Sequence, residues 1–323
     1  MRDPASDPTR PWVTVSSTLD AEQVAAVQRL IDEATDRDGV RPLSEHVALH
    51  LREGGEGPDR QLLAVSDGTV VGYAHLDPTD LVAGAVAEVV VHPDWRGRGV
   101  GRALVLAADA AAPDDRLRLW AHGGHPAALG LAASLGFVQS RRLEQWRRSL
   151  YSPLPPLEVP DGFRLRHFVP GQDEAAWLTV NARAFAEHPE QGGWTAADLK
   201  VRMAESWFDP EGFLLVETDP DRTLVAFHWT KVHGSVVHHP HGQASHAHEP
   251  IGEVYVVGVD PAWQGHRLGS MVTVAGLHRL RAQGLSQAML YVEGDNAAAQ
   301  AVYRRLGFTP WDADLMFRRP RPT

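Results

Sequence analysis

Cysteine is absent from all 323 residues. That excludes a disulfide framework, a thiolate metal site and any acyl-cysteine intermediate. Lysine is nearly absent too: 29 of the 31 basic side chains are Arg, and the two exceptions are Lys200 and Lys231. Beside so much Ala, this reads as the base composition of a GC-rich genome and not as chemistry. No apolar run approaches the roughly 18–20 residues that span a bilayer. Residues 1–11 are polar and broken by proline, without the apolar segment of a signal peptide; they read as a disordered lead-in to a cytoplasmic protein. A basic stripe is missing as well. Residues 1–152 hold 16 basic against 21 acidic side chains and residues 153–323 hold 15 against 20, so each half carries −5 of the net −10. Nucleic acid is therefore not an expected partner. What is present is an ordinary soluble composition, 43% hydrophobic and 22% charged. The length suggests two domains of about 100–200 residues.

One pattern occurs twice. Val91-His92-Pro93-Asp94-Trp95-Arg96-Gly97-Arg98-Gly99-Val100-Gly101 returns 168 residues later as Val259-Asp260-Pro261-Ala262-Trp263-Gln264-Gly265-His266-Arg267-Leu268-Gly269. Leu135-Gly136-Phe137 returns 171 residues later as Leu306-Gly307-Phe308. Two matches in one order at nearly one offset indicate a tandem duplication. Four prolines fall within residues 151–161, which read as a semi-rigid linker. The expected organisation is a domain over 12–150, the linker, and a second domain over 162–323. Periodicity and capping signals predict helices over 20–34, from 44, over 97–109 and over 126–134 in the first half. Strands are expected over 61–66 and 69–76, around the hairpin turn Asp67-Gly68, then over 87–92 and 116–121, with two short strands in 137–150. In the second half, helices are expected over 173–187, 195–206, 265–282 and 296–306. The strands there are expected over 213–218, 223–231, 253–259 and 288–293, followed by closing strands. This is an α/β architecture.

The turn Arg96-Gly97-Arg98-Gly99-Val100-Gly101 follows a β run and opens a helix. Glycines there let backbone N–H groups approach a phosphate, and the helix N-terminus favours its charge. The turn fits neither G-x-x-x-x-G-K-[ST] nor the dinucleotide fingerprint. It fits [QR]-x-x-G-x-[GA] between strand and helix. With a later helix ending in Leu-Gly-Phe, it resembles the pyrophosphate turn of the GNAT acetyltransferase superfamily. The resemblance implies two tandem GNAT domains, each a mixed, mostly antiparallel sheet flanked by helices. It also implies acetyl-CoA as co-substrate. In the first copy the implied contacts are Val89, Val90, Val91, Arg96, Gly97, Arg98, Gly99, Val100 and Gly101. In the second they are Val257, Gly258, Val259, Gln264, Gly265, His266, Arg267, Leu268, Gly269, Ser270, Asn296 and Ala299. Arg267 stands where glycine is usual; a helical backbone is expected there, with the guanidinium adding charge to the phosphate site. Gly258 inside a strand suggests a bulge or a close backbone approach.

Amine acetylation needs a base for the attacking nitrogen and an acid for the departing thiolate. Glu253 lies on the strand leading into the second turn, among apolar residues that should desolvate it and raise its pKa toward neutrality. Asn296 reads as a helix N-cap, and Tyr303 follows two turns later on the same face. In GNAT enzymes that face runs along the CoA arm, with the tyrosine near the thioester sulfur. The aligned positions in the first half are Ala85 and Ala132. The first domain is therefore expected to be non-catalytic, either holding acetyl-CoA as a structural ligand or only walling the acceptor site.

His188-Pro189-Glu190-Gln191-Gly192-Gly193-Trp194-Thr195, Phe227-His228-Trp229-Thr230-Lys231-Val232-His233, residues 252–261 and Leu290-Tyr291-Val292-Glu293-Gly294-Asp295-Asn296 together resemble the mycothiol synthase family, tandem GNAT proteins of actinobacteria. The resemblance covers essentially the whole chain and is strongest over 181–308. It implies direct acetylation of the cysteinyl amine of 1-D-myo-inosityl-2-(L-cysteinylamino)-2-deoxy-glucopyranoside, the last step of mycothiol biosynthesis. Glu253 would be the base and Tyr303 the acid, with acceptor contacts at Glu45, Glu190, Lys231, Glu253 and Tyr291. Such an α-amine, with a pKa near about 7.7–8.0, needs only a modest base. Plainer readings stay open: a first-turn helix acid for Glu45, a loop acid for Glu190, a solvated strand-end charge for Lys231, a half-buried strand aromatic for Tyr291. Residues 233–248 hold six histidines, a composition that suggests metal. Their Gly and Pro mark a loop insertion instead, and no metal is expected. The expected partner is a small-molecule amine acceptor, without nucleic acid or membrane, and the expected state is a monomer. Two alternatives remain: a GNAT acetyltransferase for another small-molecule or protein amine, and a non-catalytic acyl-CoA-binding protein with Arg267 as the sign of a decayed site. The pairing of Glu253 with Tyr303 speaks against the second.

Overall fold

The structure, a computed structural model, describes residues 12–52, 58–80, 84–113, 116–233 and 250–320. The lead-in 1–11 and residues 234–249 of the histidine-rich stretch lie outside the described residues. The chain forms two compact units. The first comprises Met1–Glu144, Glu293–Asp295 and Asp312–Thr323; the second comprises Gln145–Val292 and Asn296–Trp311, and so contains the proline-rich stretch 151–161.

In chain order the elements are β1 (Trp12–Ser16), α1 (Ala21–Asp38), α2 (Glu45–Arg52), β2 (Arg60–Ser66), β3 (Thr69–Asp77), β4 (Val86–Val91), α3 (Val100–Ala111), β5 (Arg118–Ala121), α4 (Pro126–Ser134) and β6 (Val138–Ser149). There follow β7 (Phe163–His167), α5 (Glu174–Ala184), α6 (Pro189–Gly192), α7 (Ala196–Met203), β8 (Phe213–Thr218) and β9 (Leu224–His233). The chain closes with β10 (Ile251–Val259), α8 (Leu268–Ala282), β11 (Gln287–Glu293), α9 (Ala297–Arg305) and β12 (Thr309–Arg318).

The first unit holds the order β1-β2-β3-β4-β5, antiparallel except for the β4/β5 pair, and Leu315–Arg318 of β12 run antiparallel to β5. The second repeats the plan as β7-β8-β9-β10-β11, with β10/β11 as the parallel pair. Each unit is thus a mixed, mostly antiparallel sheet between helices.

Side-chain alternation along the strands makes two cores per unit. In the first, Leu62 and Leu104 belong to one face and Leu63, Tyr73 and Val90 to the other, against Val27, Leu30, Ile31 and Ala34 of α1. Those four recur at helical spacing, so α1 buries one stripe. A capping box starts it. Asp20 accepts from the Gln23 amide at 2.8 Å and Gln23 accepts from the Asp20 amide at 3.0 Å. Gly39 in left-handed conformation ends it. In the second unit Leu214, Val216 and Ala226 pack on α8, while Phe213, Phe227 and Trp229 meet Trp177 of α5 and Leu199 of α7.

Three details depart from the expected elements. Residues 138–149 form one strand and not two. Strands β1 and β7 and the short α6 were not foreseen. Helices α3 and α8 begin three residues later than expected, at Val100 and Leu268, because Gly97, Gly99, Gly265 and Arg267 have positive φ, which a right-handed helix excludes.

Candidate active site

Register places the proposed groups. Glu253 on β10 pairs antiparallel with Lys231 on β9 and parallel with Met289 on β11. Paired residues share a face, and so do residues two apart. His233 and Tyr291 therefore join Glu253 and Lys231 on one face. The opposite face of the same strands carries Val254, Leu290 and Val292, which pack with Val274 and Leu277 of α8.

Glu253 is a buried carboxylate, 6% exposed. His233 Nε2 lies 2.6 Å from its Oε2. The Lys231 ammonium, also buried, sits 4.6 Å from the Trp207 ring and 5.1 Å from the Tyr255 ring. Both contacts are of cation–π type. Arg202 stacks 3.8 Å from Trp194 and donates to the Tyr255 hydroxyl at 3.1 Å, so the wall of this site is aromatic and fixed.

The charge of Glu253 differs from the expectation of a pKa near neutrality. Burial does push the carboxyl upward, but the hydrogen bond and charge of His233, with the charge of Lys231, overcome it and hold the group below the ordinary carboxylate range. Glu253 is an ionised base throughout the neutral range. Tyr303 goes the other way. Burial pushes its hydroxyl up to about 12, so it holds a proton at neutral pH and can give one up. Its ring packs edge-on against Phe308 at 5.9 Å. Asn296 caps α9, accepting from the Ala299 amide at 3.0 Å. Tyr291 is 39% exposed and its hydroxyl accepts from Gln145 at 2.9 Å. Glu45 opens α2 and Glu190 lies in α6, but both side chains fall outside the described ones.

Beyond Glu253 the strands part. The β10/β11 pairing ends at Val254↔Leu290 while β10 continues to Val259. Likewise β4/β5 pairing ends at Glu88↔Trp120 while β4 continues to Val91. Among the described residues, Val257, Gly258 and Val259 thus have a strand neighbour on the β9 side alone, as Val89, Val90 and Val91 do on the β3 side. The bulge in β10 falls between Val254 and Val256, ahead of Gly258. Gly258 admits the Phe227 ring, which would lie 2.6 Å from an added Cβ.

The glycine turns follow each splayed strand. Gly97, Gly99 and Gly265 have φ of +73, +85 and +86°, and an added Cβ at any of them meets no atom within 4 Å. Conformation, not crowding, requires glycine there, and the space above the turn is open for a phosphate. Arg267 corrects the expected helical backbone. It is left-handed, φ 61° and ψ 13°, the conformation of Gly99 in the first copy, at a cost of about 1–2 kcal/mol for an L-residue. In the first unit the Arg96 guanidinium is already held by both oxygens of Asp38, at 2.8 and 2.7 Å.

By sequence offset the positions aligned with Glu253 and Tyr303 are the buried Ala85 and Ala132. With the bulge in β10 counted, strand register sets Val86, opposite Asp77, where Glu253 stands opposite Lys231, and none of Ala85, Val86 and Ala132 can transfer a proton. A separate buried network fills this unit: His122 lies 3.1 Å from Glu88 and 3.0 Å from Asp314. Among the described residues, the group close enough to share a cation is His50, Asp59 and His75. Both imidazoles already meet Asp59 Oδ2, at 3.0 and 3.1 Å, which satisfies the carboxylate as it stands. Sequence reasoning had grouped His233 with the loop and overlooked Trp207 and Tyr255. The available signal was the two-residue spacing of Lys231 and His233 on a strand.

The profile of the acetyltransferase (GNAT) family matches residues 25–137 and 179–308. Among curated proteins, mycothiol acetyltransferase of Streptosporangium roseum is 50% identical over 336 residues, covering 93% of this chain and 97% of its own. That of Acidothermus cellulolyticus is 54% identical over 298 residues, covering 90% and 89%. Among solved structures, a tandem GNAT protein from the clavulanic acid biosynthesis pathway superposes with a TM-score of 0.68 at 20% identity, over 97% of this chain and all of its own. A GCN5-related N-acetyltransferase from Sphaerobacter thermophilus gives 0.64 at 22% identity, over 96% and 97%. Among the described residues no helix is long and apolar enough to cross a membrane. The chain belongs to the acetyltransferase (GNAT) family, among its mycothiol acetyltransferases.

Proposed function

We propose that the second unit transfers the acetyl group of acetyl-CoA directly to the cysteinyl amine of 1-D-myo-inosityl-2-(L-cysteinylamino)-2-deoxy-glucopyranoside. The observation that carries this reading is the buried Glu253, set beside Lys231 and His233 where β10 parts from β11. Glu253 takes a proton from the acceptor nitrogen, which then attacks the thioester carbonyl. The carbon–sulfur bond breaks, the Tyr303 hydroxyl, protonated at neutral pH, gives its proton to the departing thiolate, and the second proton of the acceptor nitrogen restores the hydroxyl, leaving the neutral amide. Without cysteine in the chain there is no thiol to carry the acetyl group, which agrees with direct transfer.

On this reading Val257, Gly258 and Val259 face the acyl and pantetheine portion. The turn Gln264-Gly265-His266-Arg267-Leu268-Gly269, with Ser270, receives the pyrophosphate at the start of α8. Asn296 and Ala299 flank the arm on α9. The acceptor meets Lys231, Tyr291 and Glu190. The first unit keeps the splay and the glycine turn but has no counterpart of the proton-transfer pair, so its part is non-catalytic. The enzyme acts as a cytoplasmic monomer that needs no metal. The test is incubation of the full chain with acetyl-CoA and a panel of amines, including the cysteinyl pseudodisaccharide, scored by product mass. Acetylation of that acceptor ahead of the others is expected. Good turnover of another amine with none of this one would overturn the reading.

A further inference from the structure

A buried base must be reset after every turnover. At neutral pH most of an α-amine with a pKa near about 8 arrives as the ammonium ion. Acetylation then strips two protons from nitrogen. One ends on the CoA thiol, and the other must leave for solvent. Glu253, with a side chain 8% exposed, has almost no water of its own.

Among the described residues, few groups face Glu253. From β9 come Lys231 and His233; from β11 its partner is Met289, which does not titrate, with Tyr291 two residues on. On β10 itself Tyr255 lies beside the Lys231 ammonium. Lys231 is buried and turned onto the Trp207 and Tyr255 rings, with almost no solvent exposure of its own. His233 has Nε2 at 2.6 Å from Glu253 Oε2, a side chain 36% exposed, and stands at the end of β9.

We propose that His233 is the proton exit of the site, carrying the proton from buried Glu253 to water; this rests on the reading of Glu253 as the base. In the step, the neutral imidazole offers its Nε2 lone pair to the protonated carboxyl. The O–H bond breaks, the Nε2–H bond forms, and the carboxylate is restored. The imidazolium, its Nε2–H now donating to the carboxylate as in the resting pair, loses its Nδ1 proton to water. When the next proton reaches Glu253, exchange with solvent moves the remaining imidazole proton to Nδ1 and frees Nε2 to accept again. His233 is thus a positioning and relay residue that touches the base and not the substrate.

Two replacements test this in the full-length protein, with acetyl-CoA and the cysteinyl acceptor. His233→Gln keeps a side chain of hydrogen-bonding size; His233→Ala leaves room for added imidazole. Both should lower kcat on the order of 10- to 100-fold, toward the lower end of what proton-transfer groups contribute. Both KM values should stay within about twofold, the sign of a group outside substrate binding. Added imidazole should raise kcat of His233→Ala in proportion to the free-base concentration, which a merely structural role would not produce. A wild-type kcat in either variant, or a loss that imidazole leaves unchanged, overturns the proposal. Glu253→Gln separates the two readings. If it is inactive while His233→Gln is normal, the exit alone is wrong; if Glu253→Gln keeps its activity, the base assignment falls first.

Discussion

Gly276, in the middle of α8, is required by its neighbour. A Cβ at this position would lie 2.0 Å from Cε1 and 2.1 Å from Nδ1 of His228. His228 is completely buried in β9 and its Nδ1 lies 2.9 Å from the Val272 carbonyl oxygen. Gly276→Ala must push the ring away, with three consequences. Overpacking in a closed core costs about 1–3 kcal/mol. Losing the bond to Val272 leaves a buried imidazole nitrogen unpartnered, a further penalty of about 1–3 kcal/mol. Alanine returns about 1 kcal/mol as a better helix former. The net expectation is a loss of about 1–5 kcal/mol. For a unit of this size that lowers Tm by roughly 2–20 °C, measured by thermal denaturation followed by circular dichroism. The same substitution in a His228→Ala background should cost far less, because the added methyl then has room. Wild-type stability for Gly276→Ala, or an equal loss in both backgrounds, would refute this account of the helix–sheet contact.

Other expectations follow from buried charge and strain. Burial lowers the His228 pKa from its usual 6.5 to about 4. The unfolded chain therefore binds the extra proton first, and stability present above pH 6.5 falls by about 3 kcal/mol as pH drops to 4; His228→Gln should flatten that slope in denaturant titrations. His122 in the first unit does the reverse. Burial opposes its charge, but Glu88 and Asp314 prevail and raise it to about 10. Its contribution is complete below pH 6.5 and is lost as pH climbs to 10, so Asp314→Asn should lose part of this alkaline slope, Glu88 keeping the rest. Arg267→Gly should stabilise the second unit by up to about 1 kcal/mol by removing left-handed strain, net of glycine's backbone entropy. Calorimetric titration with acetyl-CoA then tells whether the guanidinium assists the phosphate site: weaker binding means that it does, unchanged affinity that it does not.

Much of this was readable from local pattern. The Asp20 cap, the Asp67-Gly68 hairpin and the duplicated turn each express a short-range backbone requirement that residue type alone announces. Strands β1 and β7 are short edge strands of five residues each; β1 is largely exposed, whereas the alternation of Phe163 and Leu165 in β7, both packed on the core, is a legible signal. Arg267 misled because a helix start tolerates any residue, whereas here the turn geometry shared with Gly99 imposes positive φ. The acidity of Glu253 was unreadable for a different reason. An apolar strand predicts desolvation, but the opposing charges come from Lys231 and His233, some 20 residues away in sequence and brought adjacent by antiparallel pairing.

The central claim is that Glu253 removes the proton that makes the acceptor nitrogen a nucleophile. Glu253→Gln keeps shape and hydrogen-bonding capacity and removes the negative charge. The decisive measurement is single-turnover acetylation of the cysteinyl amine by wild type and Glu253→Gln, at saturating acetyl-CoA and across pH. A fall in rate of about 100-fold or more near neutral pH is expected, partly recovered at high pH where the amine is already neutral. A Glu253→Gln rate equal to wild type at neutral pH would contradict the account.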